Sequence, residues 1–409
     1  MKKSWLVLPV VALSVLAASA LPAAAAPPDP KPLVEIQRAP ASDKVTPRPG
    51  EYIVIVKSGE SVDDVLADAN VKPDNRWTPM LNGFGTKLTP NRVEALQRDS
   101  RVESIIENAA VSTKDTPSAK ALTASAAPDN WALDRINQAN LPLDGVVQVN
   151  STGAGVRVYV IDDGIDLSHP DFGGRASNGS DHVGGTTTPA CFEHGTEVAG
   201  VIGGTRYGVA KQAQLVSVRV GDCAGQVGLI QFLNGVNWVR TNHQSPAVAN
   251  ISSNFEYWVA QLAGAALRQA VNSLADSGVF VAVSAGNDHD DACHHPPADA
   301  AGGFAVAHTD FTDSRDVQYA NYGTCVQMYA PGDVVDVPIP GGNYGRDSGS
   351  SFAAPLAAGV AALYKATYGD ASWQTIRDWL IDKSTKNVVQ NNNTGSYPTP
   401  NRLLNTGGL

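Results

Sequence analysis

Beyond its first two dozen residues the chain has no run of about 18 uninterrupted apolar residues, which excludes a later membrane-spanning helix. Positive charge is also scarce. Lys and Arg number 30 against 40 Asp and Glu, a formal net charge of -10, which argues against nucleic acid or an anionic membrane as a main partner. Charged residues make up only 17% and hydrophobic ones 43%, so the chain has the material for a core and does not read as disordered. No internal repeat is present. Cysteine is limited to Cys191, Cys223, Cys293 and Cys325. An even number in an exported chain suggests two disulfides, with three connectivities open from counting alone. Histidine is missing from the C-terminal part: all eight precede Ser351.

What is present begins with a basic start, Met1-Lys2-Lys3, an apolar run from Trp5 to Leu21, and small residues from Ala23 to Ala26. This layout predicts a signal peptide over residues 1–26, cut near Ala24 or Ala26, and hence a secreted, extracellular protein with no membrane association after cleavage. Residues 27–50 are rich in proline and charge, lack periodicity and read as a linker. Residues 51–110 read as a small α+β domain. Tyr52–Val56 is strand-like, Ser61–Asn70 and Asn91–Arg98 carry helical spacing, and Arg101–Glu107 alternates like a second strand. Residues 111–127 are small and polar, a stretch easily cut.

Residues 128–409 change pattern. Val156–Ile161, Leu215–Val220, Val248–Ile251 and Val279–Val283 are strands that are mostly apolar on both faces. Between them lie helical stretches. Leu229, Leu233 and Val236 recur at three to four residues within Gly228–Val239, and Ala266–Ser277 is ended by Gly278. This alternation predicts an α/β domain with a mostly parallel sheet and helices on both faces.

The chemistry centres on Ser351, which opens a helix in Gly349-Ser350-Ser351-Phe352-Ala353-Ala354-Pro355. A nucleophilic serine needs a histidine base, and here the base must come earlier in the chain. The order Ser, acid, His of the α/β-hydrolases is thereby excluded. The order Asp, His, Ser stays open, and two runs fill it. Val160-Ile161-Asp162-Asp163-Gly164 ends an apolar strand, where parallel sheets place ligands. His194-Gly195-Thr196 opens a helical run. His194 would take the proton of Ser351, and Asp162 would orient the imidazole. Asp163 should point the other way, because strand side chains alternate. In Ser284-Ala285-Gly286-Asn287 the Asn287 amide can donate to an oxyanion, together with the Ser351 backbone N–H.

With these runs in place the chain resembles the subtilases, in particular the proteinase K and aqualysin branch. Asn130–Ile136, Tyr159–Asp162, Tyr322-Gly323, Ala330-Pro331-Gly332 and Pro400–Leu404 carry the likeness over roughly residues 128 to 406. Residues 51–110, with Gly83–Leu88 as the marker, resemble the family's propeptide. The resemblance implies a subtilisin-like fold and a serine endopeptidase that hydrolyses peptide bonds through an acyl-enzyme. It also implies a self-processing precursor whose propeptide assists folding and inhibits until it is cut away, with residues 111–127 as the processing linker. It implies catalytic Asp162, His194 and Ser351, oxyanion donor Asn287, and a substrate pocket from Gly225, Ser252, Ser253, Asn254, Ser284, Ala285 and Gly286. The implied disulfides are Cys191–Cys223 and Cys293–Cys325. A protein or peptide substrate, a monomeric state and no cofactor are expected. Structural calcium belongs to the family, but Asp333 stands one residue from the corresponding ligand position, so no metal is assigned.

Several positions depart from the family pattern. Glu193 and Glu197 flank His194 in place of a glycine and a second histidine, and both bring negative charge toward the imidazole. Ser252-Ser253-Asn254-Phe255 replaces Ser-Leu-Gly-Gly in the substrate-binding strand, which makes Asn254 and Phe255 candidates for reshaping the pocket. These departures motivate an alternative, a pseudoprotease that binds peptides without cutting them. The run Asp288–His295 is dense in potential ligands and motivates another, a metal protein.

Overall fold

A computed structural model describes residues 32–42, 44–112, 127–185, 189–392, 394–395 and 398–409. The expected signal peptide and residues 113–126 of the expected processing linker lie outside them. The N-terminal part contains β1 (Ile36–Gln37), β2 (Val45–Val56), α1 (Val62–Asp68), β3 (Asn75–Arg76), β4 (Gly83–Lys87), α2 (Pro90–Arg98) and β5 (Val102–Ser112). Its strands pair in the order β1-β5-β2-β4-β3. Alternation sorts β2 between two faces. Tyr52, Val54 and Val56 pack on Val65 of α1 and on Val93 and Leu96 of α2, while Ile53 joins a second cluster with Trp77, Met80 and Leu81. Ser61 caps α1 by accepting the Asp64 N–H, and Asp63 and Asp64 suit its positive end.

β1 and the first half of β2 come from residues 27–50, read above as a linker. Pro47 and Pro49 hide this strand from a sequence reading, because proline lacks the ladder donor. Here the register shifts between Pro47 and Tyr52, so the prolines sit where the ladder is already interrupted.

The larger part begins with α3 (Trp131–Asn137), β6 (Arg157–Asp162), β7 (Ala176–Asp181), α4 (Glu193–Gly203), β8 (Gln214–Arg219), β9 (Gln226–Gly228), α5 (Leu229–Asn242) and β10 (Ala247–Ile251). It continues with α6 (Tyr257–Leu262), α7 (Gly264–Asp276), β11 (Phe280–Ser284), β12 (Gly303–Thr309), β13 (Met328–Pro331), β14 (Val335–Ile339), β15 (Asn343–Asp347), α8 (Ser350–Tyr368), α9 (Trp373–Lys383), β16 (Thr385–Lys386) and β17 (Arg402–Leu403). Nine strands form one sheet in the order β16-β17-β13-β12-β11-β10-β6-β8-β7. From β7 to β13 every neighbouring pair is parallel. This is the α/β architecture with a mostly parallel sheet. Along β6, Val158 and Val160 pack in the cluster that contains α4 and α8, and Tyr159 and Ile161 in the one that contains α5 and α7. Both faces are thus covered by helices.

Val34–Leu409 packs as one unit. Two features join its parts. Trp77, Met80, Leu81 and Ile106 bury against α5 and α7, with Trp77 Nε1 donating to Asn234 Oδ1 at 2.7 Å. The end of β5 pairs antiparallel with β9, Ala110 opposite Gly228 and Ser112 opposite Gln226.

The disulfides join Cys191 to Cys223 and Cys293 to Cys325, the pairs implied by the resemblance, each across 32 residues. Loop closure of that length stabilises by about 3–4 kcal/mol. Replacing either pair by serine is therefore expected to lower the unfolding free energy by that amount, measured by denaturant titration of the oxidised protein. A loss under about 1 kcal/mol would contradict the loop-closure argument.

Candidate active site

Asp162 is the last residue of β6 and lies at the C-terminal edge of the parallel sheet, between β8 and β10. It is buried, and its Oδ1 accepts the Asp163 backbone N–H at 2.8 Å. The same oxygen stands 2.8 Å from His194 Nδ1, the second residue of α4. A carboxylate there requires a proton on Nδ1, so in the neutral ring Nε2 carries the lone pair. Nε2 is buried and makes no hydrogen bond. Asp163 faces the other way and accepts the Gly195 N–H at 2.8 Å, holding the start of α4. Gly195 permits this approach: a Cβ there would lie 2.1 Å from the Gly164 carbonyl oxygen.

Ser351 is the second residue of α8, a helix buried along most of its length. Pro355 lies four residues later and has no N–H to give the Ser351 carbonyl. Ser252 Oγ donates to that carbonyl instead, at 2.9 Å. In return Ser351 Oγ donates to the Ser252 carbonyl at 3.3 Å. The structure therefore brings Asp162 and His194 into direct contact and bonds Ser351 to Ser252. The His194 ring packs edge-on against Phe352, the residue after Ser351, with centroids 6.0 Å apart. Asn287 Oδ1 accepts the Ser350 N–H at 2.9 Å, which fixes the amide against the start of α8. The first-turn N–H groups of α8, Ser351 among them, have no acceptor within the helix.

Of the expected pocket residues, Ser252 is bonded to Ser351 directly. Asn254 Nδ2 donates to the Ser284 carbonyl at 2.7 Å, and Ser284 Oγ donates back to Asn254 Oδ1. Ala285 is fully buried, and Ser253 Oγ is buried without a hydrogen bond. Gly286 has φ +102, and a Cβ there would meet Asn321 Nδ2. Gly225 turns the chain into β9. Phe255 does not line the pocket. It is a core residue whose ring stacks edge-on with Phe232 at 5.2 Å.

Two residues escaped the sequence reading. Asn321 is buried; its amide donates to the Ala285 carbonyl, and its oxygen accepts the N–H groups of Asp288 and Asp290. It shapes the loop that carries Asn287, and its only sequence signal is its place just before Tyr322-Gly323. Asp347, at the end of β15, lies close enough to Glu197 for the two carboxyls to act on each other's charge. The two glutamates beside His194 part company here: Glu193 is exposed, and Glu197 is only 5% exposed.

Burial, then the Asp347 charge, pushes the Glu197 carboxyl up to about 9. Burial and the adjacent Asp162 charge push Asp163 up to about 8. For His194, burial opposes the charge, but Asp162 first, then Asp163 and Glu197, outweigh it and raise the imidazole well above its usual value. Among the described residues no three or more His, Cys, Asp or Glu side chains are placed to hold a metal. In the Asp288–His295 loop, Asp290 instead contacts His294 and His295.

Comparison with known proteins yields a match of residues 153–400 to the peptidase S8, subtilase, family. The chain is 35% identical to an extracellular serine proteinase of Thermus sp. (strain Rt41A) over 98% of both chains. It is 37% identical to alkaline serine exoprotease A of Vibrio alginolyticus over 84% of this chain, and spans 62% of that relative's length. A crystal structure of a cold adapted subtilisin-like serine proteinase matches with a TM-score of 0.62 and 38% identity, covering 68% of this chain and 97% of that one.

These electrostatics predict a high imidazole titration. A raised folded-state pKa favours the imidazolium, so the neutral ring appears only at higher pH. Asp163→Asn keeps an oxygen for the Gly195 N–H and puts a group that never ionises in place of the carboxyl. It is expected to lower the His194 pKa, whereas Glu193→Gly, at an exposed position, leaves it nearly unmoved. Ring-proton NMR, or the acid limb of peptide hydrolysis against pH, measures both. An unmoved titration in Asp163→Asn would refute the role given to that carboxyl.

Proposed function

The chain belongs to the subtilase family of serine endopeptidases, and we propose that it is secreted as a self-processing precursor that cuts peptide bonds through an acyl-enzyme on Ser351. The observation that carries the proposal is the Asp162–His194 contact, which leaves Nε2 as a buried, unengaged base close to the start of α8. In the proposed reaction Ser351 Oγ exchanges its bond to Ser252 for one to His194 Nε2. Its oxygen attacks the scissile carbonyl carbon while Nε2 takes the proton, and the C=O electron pair moves onto oxygen. The Asn287 NH₂ and the Ser351 N–H hold that oxyanion. Collapse breaks the C–N bond, and the imidazolium protonates the leaving amine. Water then repeats the sequence on the ester and frees Ser351. Asp162 keeps Nδ1 protonated and offsets the charge on the ring.

The precursor reading has its own support. The end of β5 lies as a strand along β9, just beyond Gly225, where a peptide substrate would lie in the proposed cleft. The N-terminal part then inhibits by filling the cleft with its own chain. Export is supported by the expected signal peptide, by the two disulfides and by a relative named as an extracellular serine proteinase. Among the described residues no helix is long and apolar enough to cross a membrane.

Ser351→Ala is expected to leave the purified precursor uncut between roughly Ser112 and Asp129 and to abolish labelling by a serine-directed phosphonate. Asn287→Ala is expected to lower kcat about 10²–10³-fold with little change in KM, as for the loss of one oxyanion donor. Normal processing of Ser351→Ala with no added protease, read by mass spectrometry, would refute Ser351 as the nucleophile.

A further inference from the structure

Lys44 lies in the stretch 27–50, outside the part that resembles a propeptide. Its Nζ stands 2.8 Å from Asp288 Oδ1 and 3.4 Å from Glu256 Oε1, a contact that reaches 244 residues along the chain to Asp288. Both acids are on the larger part. Asp288 follows Asn287 directly, and Glu256 caps α6. Each carboxylate is divided in the same way. Asp288 Oδ2 faces the buried His295 Nδ1 at 3.4 Å and leaves Oδ1 to the ammonium. Glu256 Oε2 accepts the Trp258 Nε1–H at 2.9 Å and leaves Oε1 to it. The scaffold thus fixes one oxygen of Glu256 by a hydrogen bond, sets Asp288 Oδ2 toward His295, and presents the other oxygen of each acid to a cation.

The backbone places this cation beside the cleft strand. The Lys44 carbonyl accepts the Ser112 N–H at 2.8 Å, and Val45 and Thr46 pair with Val111 and Ala110. Lys44 therefore flanks β5 on the edge opposite β9. Ala39, Val45 and Ala109 close the apolar side together with Trp258 and Leu262. Burial weakens the charge on Lys44, but the hydrogen bond and charge of Asp288, backed by Glu256, raise its pKa on balance.

We propose that Glu256 and Asp288 form a cation-binding subsite of the cleft, filled by Lys44 in the precursor and offered after processing to a Lys or Arg side chain of the substrate. This rests on the protease reading above. Once residues 34–112 depart, two part-buried carboxylates lose their shared ammonium, and facing like charges without a counter-ion are unfavourable. A substrate strand in the place of β5 runs one strand spacing, about 4.8 Å, from the Lys44 backbone. A lysine or arginine side chain on it is long enough to cross that gap and reach the same two oxygens.

The test uses the processed enzyme and a peptide series. A single lysine is scanned through the positions before the scissile bond, each peptide paired with its glutamine counterpart. At one or two positions the lysine peptide is expected to be favoured about three- to tenfold in kcat/KM, mainly through KM, with the ratio shrinking as salt is added. In the double variant Glu256→Gln/Asp288→Asn, whose amide oxygens still serve Trp258 and His295, the ratio should fall to about one. Cleavage of glutamine peptides with no lysine preference at any position would overturn the subsite and leave the protease reading standing. So would a preference that survives in the double variant. Failure to cut any peptide would overturn the protease reading and the subsite with it.

Discussion

A helix that is apolar around its whole circumference has to lie inside the protein, and α8 is such a helix: Ser350 to Lys365 are all buried. It packs against β10, β11, β12 and β13 on one side and α4 on the other. Its first turn consequently opens at the carboxyl edge of the parallel sheet, beside the end of β6. Asp162, His194 and Ser351 come from three separate elements, and burial of α8 is what fixes the position of the third. Pro355 adds a local consequence. By withholding its N–H it frees the Ser351 carbonyl, and Ser252 fills the vacancy. The start of α8 is thereby tied to the strand end after β10, beside the pocket residues Ser252 to Asn254.

The charge around His194 follows from the same crowding. Four carboxyls, Asp162, Asp163, Glu197 and Asp347, sit near one imidazole with little water. They cannot all ionise together, so burial pushes Asp163, Glu197 and Asp347 toward their neutral forms. Glu197 faces Asp347 where α4 packs on the β14–β15 hairpin, in place of the histidine that the family pattern has at that helix position.

Much of the fold was legible because its central strands are apolar on both faces. β6, β8, β10 and β11 stood out for that reason, as did α5, α7 and α8 through spacing or bulk. β7 did not, since Ala176–Asp181 has no apolar alternation and pairs through its backbone. β9 is three residues long and acquires meaning only from its partner β5. In the site, Asp162, His194, Ser351 and Asn287 stand out in the sequence from short runs that each need a particular turn or helix start, and the first two are in contact. Asn321 and Asp347 do not stand out, because they act through contacts far apart in sequence. Phe255, a departure from the family pattern in a polar run, turns its ring into the core, which the run itself does not reveal. The opposite fates of Glu193 and Glu197 depend on which side of α4 meets the hairpin, which no local pattern records.

The double membership of β5 has a consequence in time. Its first residues pair with β2, and its last three pair with β9. Cutting the chain after Ser112 breaks one covalent bond but none of these ladder hydrogen bonds, nor the packing of Trp77 under α5 and α7. Scission and release are then separate events with separate rates. If the chain is the precursor proposed above, the nicked molecule would stay silent until the N-terminal part unfolds or is itself digested. The first few molecules to shed it would clear it from their neighbours. A population of this protein would therefore wake after a delay and then all together, and the length of that delay is set by how firmly one strand is shared between two sheets.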